Sequence, residues 1–263
     1  MKIIALDTSG LVASAAILED GILRAEYTVN YKKTHSQTLL SMLDEISKMT
    51  SLDLATVDAI AVAAGPGSFT GLRIGSATAK GLGFALNKPI IEVPTLDALA
   101  FNLYDAPGLI CPMMDARRQQ VYNAVYRFEN HRLTAVTSQR AIAAHDLMQE
   151  LNGNREAAQG VIFLGDGVAV SSDIIKNELK VPYSIAPAHL NRQRAGAVAA
   201  LGALLFSEGK YVSAADHVPV YLRKSQAEQQ KEKTAEGRKA EAQKEEAQKP
   251  ENREAESFRA GKI

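Results

Sequence analysis

Apolar positions near the start of the chain first alternate and then recur at helical intervals. "KIIAL" reads as a strand that stops at Asp7, "VASAAIL" alternates toward a turn at "EDG", and "ILRAEYTV" resumes as a third strand. "THSQTLLSMLDEISKM" then carries Leu39, Met42, Leu43, Ile46 and Met49 at helical spacing, with Thr34 and Gln37 at the distance of a capping box. "VDAIAVAAG" has the unbroken apolar character of a strand buried on both faces. "TGLRIGSATAKGLGFALN" predicts a second helix closed by Asn87 ahead of Pro89, and "PIIEV" a short strand after it.

The second half repeats this order. "GLICPMMD", "QVYNAVYRF" and "HRLTAVTSQ" predict three strands around turns at Asp115 to Arg118 and at Glu129 to Asn130; a helix over "AHDLMQEL", a strand "VIFLGD" and a helix over "SDIIKNEL" follow. Two copies of βββαβα define an α/β chain with the duplicated architecture of the actin, sugar-kinase and Hsp70 (ASKHA) group, in which nucleotide lies between the halves. A final helix over "RQRAGAVAALGALLFSEG" is expected to pack back across the core before "VPVYLRK" ends the folded part. The predicted division is an N-terminal subdomain over 1–100, a C-terminal one over 101–224, and a disordered charged tail over 225–263. In that tail Phe258 is the only aromatic residue and Ile263 the only aliphatic one larger than alanine.

Composition narrows the function classes. The 263 residues are 46% apolar, enough for a packed core, and 30 basic side chains balance 30 acidic ones. A stand-alone nucleic-acid binder would carry a basic surplus, so contact with nucleic acid requires a local patch or a partner. The single cysteine, Cys111, lies in the apolar run "LICPMM", where a thiol serves as a small hydrophobe. With no long apolar run and no leader-like start, the expected location is the cytoplasm.

Residues 63 to 83, "AAGPGSFTGLRIGSATAKGLG", raise the question of a phosphate site. A Walker loop needs Lys and Ser or Thr after its last glycine, but Gly71 is followed by Leu72 and Arg73. A Rossmann loop needs GxGxxG, but Gly65, Gly67 and Gly71 leave one residue too many. Inside the helix, Gly75, Ala79 and Gly83 recur every fourth residue beside Leu72 and Ser76, a ridge of small residues that invites close approach of another backbone. Two explanations stay open: packing within the chain, or an interface with another molecule. The wide apolar circumference of the preceding helix, which includes Leu39, Leu40 and Leu43, favours the external one.

Together "LDTSG", "KKTHSQTLL", "AAGPGSFTGLRIGSATAKGL", "MMDARRQQVY", "GDG" at 165–167 and "PVYLRK" resemble the TsaB (YeaZ) family over nearly all of residues 1–224. The resemblance implies a scaffold or accessory subunit in the biosynthesis of N6-threonylcarbamoyladenosine at adenosine 37 of tRNA. It further implies pairing with a catalytic paralogue, TsaD, through the two N-terminal helices, an ATPase partner, TsaE, tRNA contact through the complex, and a homodimer when alone. The implied interface residues are Leu39, Leu40, Leu43, Leu72, Gly75, Ser76, Ala79 and Gly83. Where the paralogue holds its metal with two histidines, this chain has Thr95 and Leu99, and its histidines at 35, 131, 145, 189 and 217 fall in no ligand spacing. No metal and no cofactor are therefore expected. Asp7, Thr8 and Ser9, with Gly165 and Gly167, are weak candidates for a residual nucleotide contact, although Arg117 and Arg118 follow Asp115 and Ala116 where this fold usually has glycines. The alternative function is a stand-alone nucleotide-binding hydrolase of the same fold, an ATPase or metalloprotease. No Gly-x-Ser-x-Gly elbow supplies it with a nucleophile.

Overall fold

The computed structural model describes residues 1–31 and 34–223, so the tail expected over 225–263 lies outside the described residues. Met1–Leu222 form one compact unit. Its first half contains β1 (Lys2–Asp7), β2 (Ala13–Glu19), β3 (Ile22–Val29), α1 (His35–Met49), β4 (Ala59–Gly65), α2 (Phe69–Leu86), β5 (Ile90–Pro94) and α3 (Thr95–Phe101). The strands form a five-stranded sheet in the order β3-β2-β1-β4-β5, with β1 antiparallel to β2 and parallel to β4.

The second half contains β6 (Leu109–Asp115), β7 (Gln120–Asn123), β8 (Tyr126–Glu129), β9 (Arg132–Ala135), β10 (Arg140–Ala143), α4 (Ala144–Gly153), β11 (Val161–Leu164), α5 (Asp166–Val170), α6 (Ser172–Glu178), β12 (Tyr183–Ile185) and α7 (Ala195–Ser207). Its main path runs β10-β7-β6-β11-β12, and the β8–β9 hairpin branches from β6. Setting that hairpin aside, β6, β7, β10, β11 and β12 take the places that β1 to β5 take in the first sheet. The duplicated actin and sugar-kinase architecture is present, as the element order implied.

Burial explains the residue types. α1 and α2 cover one face of the first sheet, bringing Leu39, Met42, Leu43, Ile46 and Ala79 onto Ile4, Leu6, Ile60 and Val62. α7 covers the other, with Ala195, Val198 and Ala199 against Ile3, Ala5 and Ala61. A sheet covered on both sides needs central strands without polar alternation, and every residue of β4 is buried. Asn87 closes α2 in the left-handed region at φ 53°, as its position before Pro89 predicted.

Three local expectations are corrected. Thr34 precedes α1 without a side-chain cap; only its carbonyl is used, by the Gln37 N–H, so the capping box does not form. "QVYNAVYRF" is two strands, because buried Asn123 turns inward and donates to the Pro112 and Ala124 carbonyls, ending one pairing before Tyr126 begins another. The predicted last helix starts at Ala195 rather than Arg192.

After α7 the chain returns as a strap along α2. Val212 exchanges both backbone hydrogen bonds with Ile90 at 2.9 Å, covering the free edge of β5. Ala214 packs against Gly83, Lys80 Nζ donates to the Ala215 and His217 carbonyls, Val220 N–H donates to the Ala64 carbonyl, and the Tyr221 ring lies 4.6 Å from Phe69. Among the described residues no helix is long and apolar enough to cross a membrane.

Candidate functional site

β1 delivers Asp7, Thr8 and Ser9 to the end of the first sheet, where all three are buried. Ser9 donates to Asp7 Oδ1 from its backbone N–H at 2.9 Å and from its hydroxyl at 2.6 Å. Thr8 Oγ1 donates to the Gly71 carbonyl at 2.7 Å. The Ser9 carbonyl accepts the Ser68 N–H at 2.7 Å. Burial pushes the Asp7 carboxyl up to about 6, against the lowering effect of the two Ser9 donors and of nearby His35. Both hydroxyls of this loop are thus committed within the chain.

The glycine run receives the Thr8 hydroxyl and packs against the rest of the loop. A Cβ on Gly71 would stand 2.0 Å from the Thr8 carbonyl oxygen, one on Gly67 2.4 Å from the Ser9 carbonyl, and one on Gly75 2.6 Å from Thr8 Oγ1. Gly67 and Gly71 admit the backbone of the chain's own β1 loop, and Gly75 admits the Thr8 hydroxyl. Gly65, at φ 127°, donates its N–H to the buried Thr95 hydroxyl at 3.0 Å, and a Cβ there would meet the Val220 carbonyl.

In the second half Gly165 and Gly167 play a parallel part. Their absent Cβ atoms would fall on the Met113 backbone, at 2.1 Å from its oxygen for Gly165 and 2.8 Å from its carbonyl carbon for Gly167. Asp166 accepts the Asp115 N–H at 3.2 Å, and desolvation raises its carboxyl above the usual range. Arg117, Arg118 and Gln119 all take positive φ in the turn after Asp115, and Arg117 pairs with Asp115 at 3.0 Å.

The proposed interface residues are corrected most. Leu39, Leu43, Leu72, Gly75, Ser76, Ala79 and Gly83 are all buried inside the chain, and Leu40 alone of that set is exposed, at 58%. The ridge faces inward because Thr8 stands under Gly71 and Gly75 and Ala214 under Gly83. What α1 and α2 present outward is Leu40, Met49 and Phe84, the last two 75% and 62% exposed, with Arg73, Ala77 and Gly81. Met49 continues the stripe of Met42 and Ile46 in the sequence yet is exposed at the last residue of α1, so the periodic stripe overran the part that the fold buries.

Few groups are arranged for hydrolysis. Ser9 faces Asp7 rather than an imidazole, and His35 Nε2 engages the Gly10 carbonyl at 2.9 Å. Buried Cys111 has its thiol pushed up to about 12 by desolvation, far from a thiolate at neutral pH. Leu99 lies in the core, and among the described residues no group of three or more His, Cys, Asp or Glu could hold a metal ion. Asn191, Arg192 and Gln193, which contact Gly165 and Gly10, were absent from the expectations because "RQR" read as a helix start and Asn191 as the residue before it.

With this geometry in place, comparison with known proteins is informative. Residues 23–231 match the family model described as TsaD: tRNA N6-adenosine threonylcarbamoyltransferase. The tRNA threonylcarbamoyladenosine biosynthesis protein TsaB of Bacillus subtilis is 34% identical over 230 residues, covering 87% of this chain and 96% of that protein. TsaB of Escherichia coli is 30% identical, covering 86% and 96%. Among solved structures, YeaZ from Pseudomonas aeruginosa superposes with a TM-score of 0.70 at 27% identity, covering 84% of this chain and 99% of that one.

Proposed function

This chain belongs to the TsaB (YeaZ) family, and from that membership we propose that it is a non-catalytic accessory subunit in tRNA threonylcarbamoyladenosine biosynthesis. In this reading it binds the TsaD subunit, which transfers threonylcarbamoyl from its adenylate to adenosine 37. TsaE joins the pair, tRNA is met through the complex, and the chain alone self-associates through the same surface. The 1–100 subdomain carries that surface and the 101–224 subdomain supports it.

One observation carries the non-catalytic reading: the Thr8 and Ser9 hydroxyls, the groups best placed to meet a phosphate, are buried and spent on Gly71 and Asp7. An ATPase would need them free, together with a close backbone approach where Arg117 and Arg118 now stand. A metalloprotease would need ligands where the Thr95 hydroxyl accepts the Gly65 N–H and Leu99 fills the core.

The surface for TsaD is revised from the buried ridge to the outward residues Leu40, Met49 and Phe84 on α1 and α2. Exposed apolar side chains on each of two neighbouring helices suit a helix-to-helix contact. Mixing the purified chain with TsaD and measuring mass by light scattering tests this. A stable complex lost in Leu40→Asp and in Phe84→Asp, both variants remaining folded, is the expected result. Complex formation unaffected by either variant would exclude this surface.

A further inference from the structure

Residues 189–196, which run from the loop after β12 into the first turn of α7, are bonded to both halves of the molecule. On the C-terminal side, Gly165 N–H donates to Asn191 Oδ1 at 2.8 Å and to the Asn191 carbonyl at 3.2 Å, while Arg192 Nη1 donates to the Gly165 carbonyl at 3.0 Å. Asn102 Nδ2, just after α3, donates to the Leu190 and Arg192 carbonyls at 3.1 and 2.8 Å. On the N-terminal side, Arg194 pairs with Glu26 of β3, whose Oε1 also takes the Gly196 N–H at 2.9 Å. Ala195 N–H donates to Ser14 Oγ of β2 at 2.9 Å. Between these anchors the buried Gln193 side chain lies against Gly10, its Nε2 2.6 Å from where a Cβ would stand.

We propose that this segment is a built-in clasp, which fixes the two halves in one orientation and prevents the rotation that would open or close the space between them. Hinge motion needs a connector that can absorb backbone change with few bonds broken. Here Asn191 and Arg192 are tied to one half and Arg194 to Gly196 to the other, the latter by a charge-assisted pair whose carboxylate side chain is only 9% exposed, so Gln193 alone is left to absorb a rotation and its side chain is buried against Gly10. Gly165 gives its N–H to Asn191 and its carbonyl to Arg192, and the buried Gln193 side chain fills the space beside Gly10, so neither glycine presents an open backbone to a ligand. The inference stands apart from TsaD binding and concerns only motion within this chain.

The test is a distance measurement between spin labels in the full chain, at Lys48→Cys on α1 and Asn177→Cys on α6, both exposed; Cys111 is buried and stays unlabelled. The expected result is one narrow distance distribution that saturating Mg-ATP does not shift. Arg192→Ala and Glu26→Gln, which release opposite ends of the clasp, should each broaden it while circular dichroism stays native. Should Arg192→Ala not fold, Glu26→Gln carries the comparison alone. A second distance in the unmodified background, a shift on adding Mg-ATP, or an equally narrow distribution in every folded variant would overturn the proposal.

Discussion

Thr8 decides what two glycines of α2, Gly71 and Gly75, are for. An alanine at Gly71 would drive a methyl into the Thr8 carbonyl, a backbone atom that cannot swing away, so Gly71→Ala should destabilise by at least the roughly 1–3 kcal/mol typical of overpacking. At Gly75 the obstacle is the Thr8 hydroxyl, which can rotate at the cost of its bond to the Gly71 carbonyl, so Gly75→Ala should cost about 1 kcal/mol. Gly81 has nothing within 4 Å of its missing Cβ, and Gly81→Ala should stabilise by about 1 kcal/mol through helix propensity. Urea unfolding of the three variants checks the order; equal effects at all three positions would remove Thr8 from the account.

Asp7 adds a pH dependence. Its folded-state pKa is raised from 3.8 to about 6, so the folded state holds a proton that the unfolded state has released. The stability this group contributes is fully present below about pH 4 and is lost as pH rises through about 6. Asp7→Asn cannot ionise, so its melting temperature relative to the unsubstituted chain should rise between pH 4.5 and pH 7, whatever constant cost its amide adds. A difference that is flat across that range would show that Asp7 is not a desolvated carboxyl.

At the scale of elements, the long periodic segments were legible, whereas the short ones were legible only in part: β5, β11 and α6 were read, and α3, α5, β10 and β12 were not. α1, α2, β4 and the closing Asn87 follow from spacing and cap chemistry in "THSQTLLSMLDEISKM", "VDAIAVAAG" and "GFALN". α3, α5, β10 and β12 span three to seven residues, too few for either period to declare itself. The facing of the small-residue ridge was out of reach for a different reason. Recurrence at every fourth residue defines a stripe on a helix, but only the tertiary position of Thr8 and Ala214 says that the stripe points inward.

The strap makes its own prediction. A chain ending at Lys210 loses the Val212–Ile90 pairing, the Ala214 contact with Gly83 and the Tyr221–Phe69 contact, and leaves the edge of β5 uncovered. Compared with a chain ending at Lys224, it should melt several degrees lower and aggregate on heating. Identical melting curves would mean that the strap contributes nothing to the first sheet.

For the whole molecule, the duplicated element order was readable from periodicity and family membership from motifs distributed over nearly the whole of residues 1–224, and the geometry then changed the meaning of individual residues. "LDTSG" and "GDG" look in sequence like remnants of ligand loops. In the fold their glycines and hydroxyls bind the chain to itself, an assignment that needs the partner atoms and cannot be made from spacing. The central claim is that this chain supports threonylcarbamoyl transfer without performing it. The most direct measurement follows threonylcarbamoyladenosine in tRNA, starting from threonylcarbamoyl-adenylate, with this chain alone, with TsaD and TsaE, and with all three. Modified nucleoside should be absent with the chain alone and form fastest with all three. Product from the chain alone, or an equal rate when it is omitted, would contradict the account.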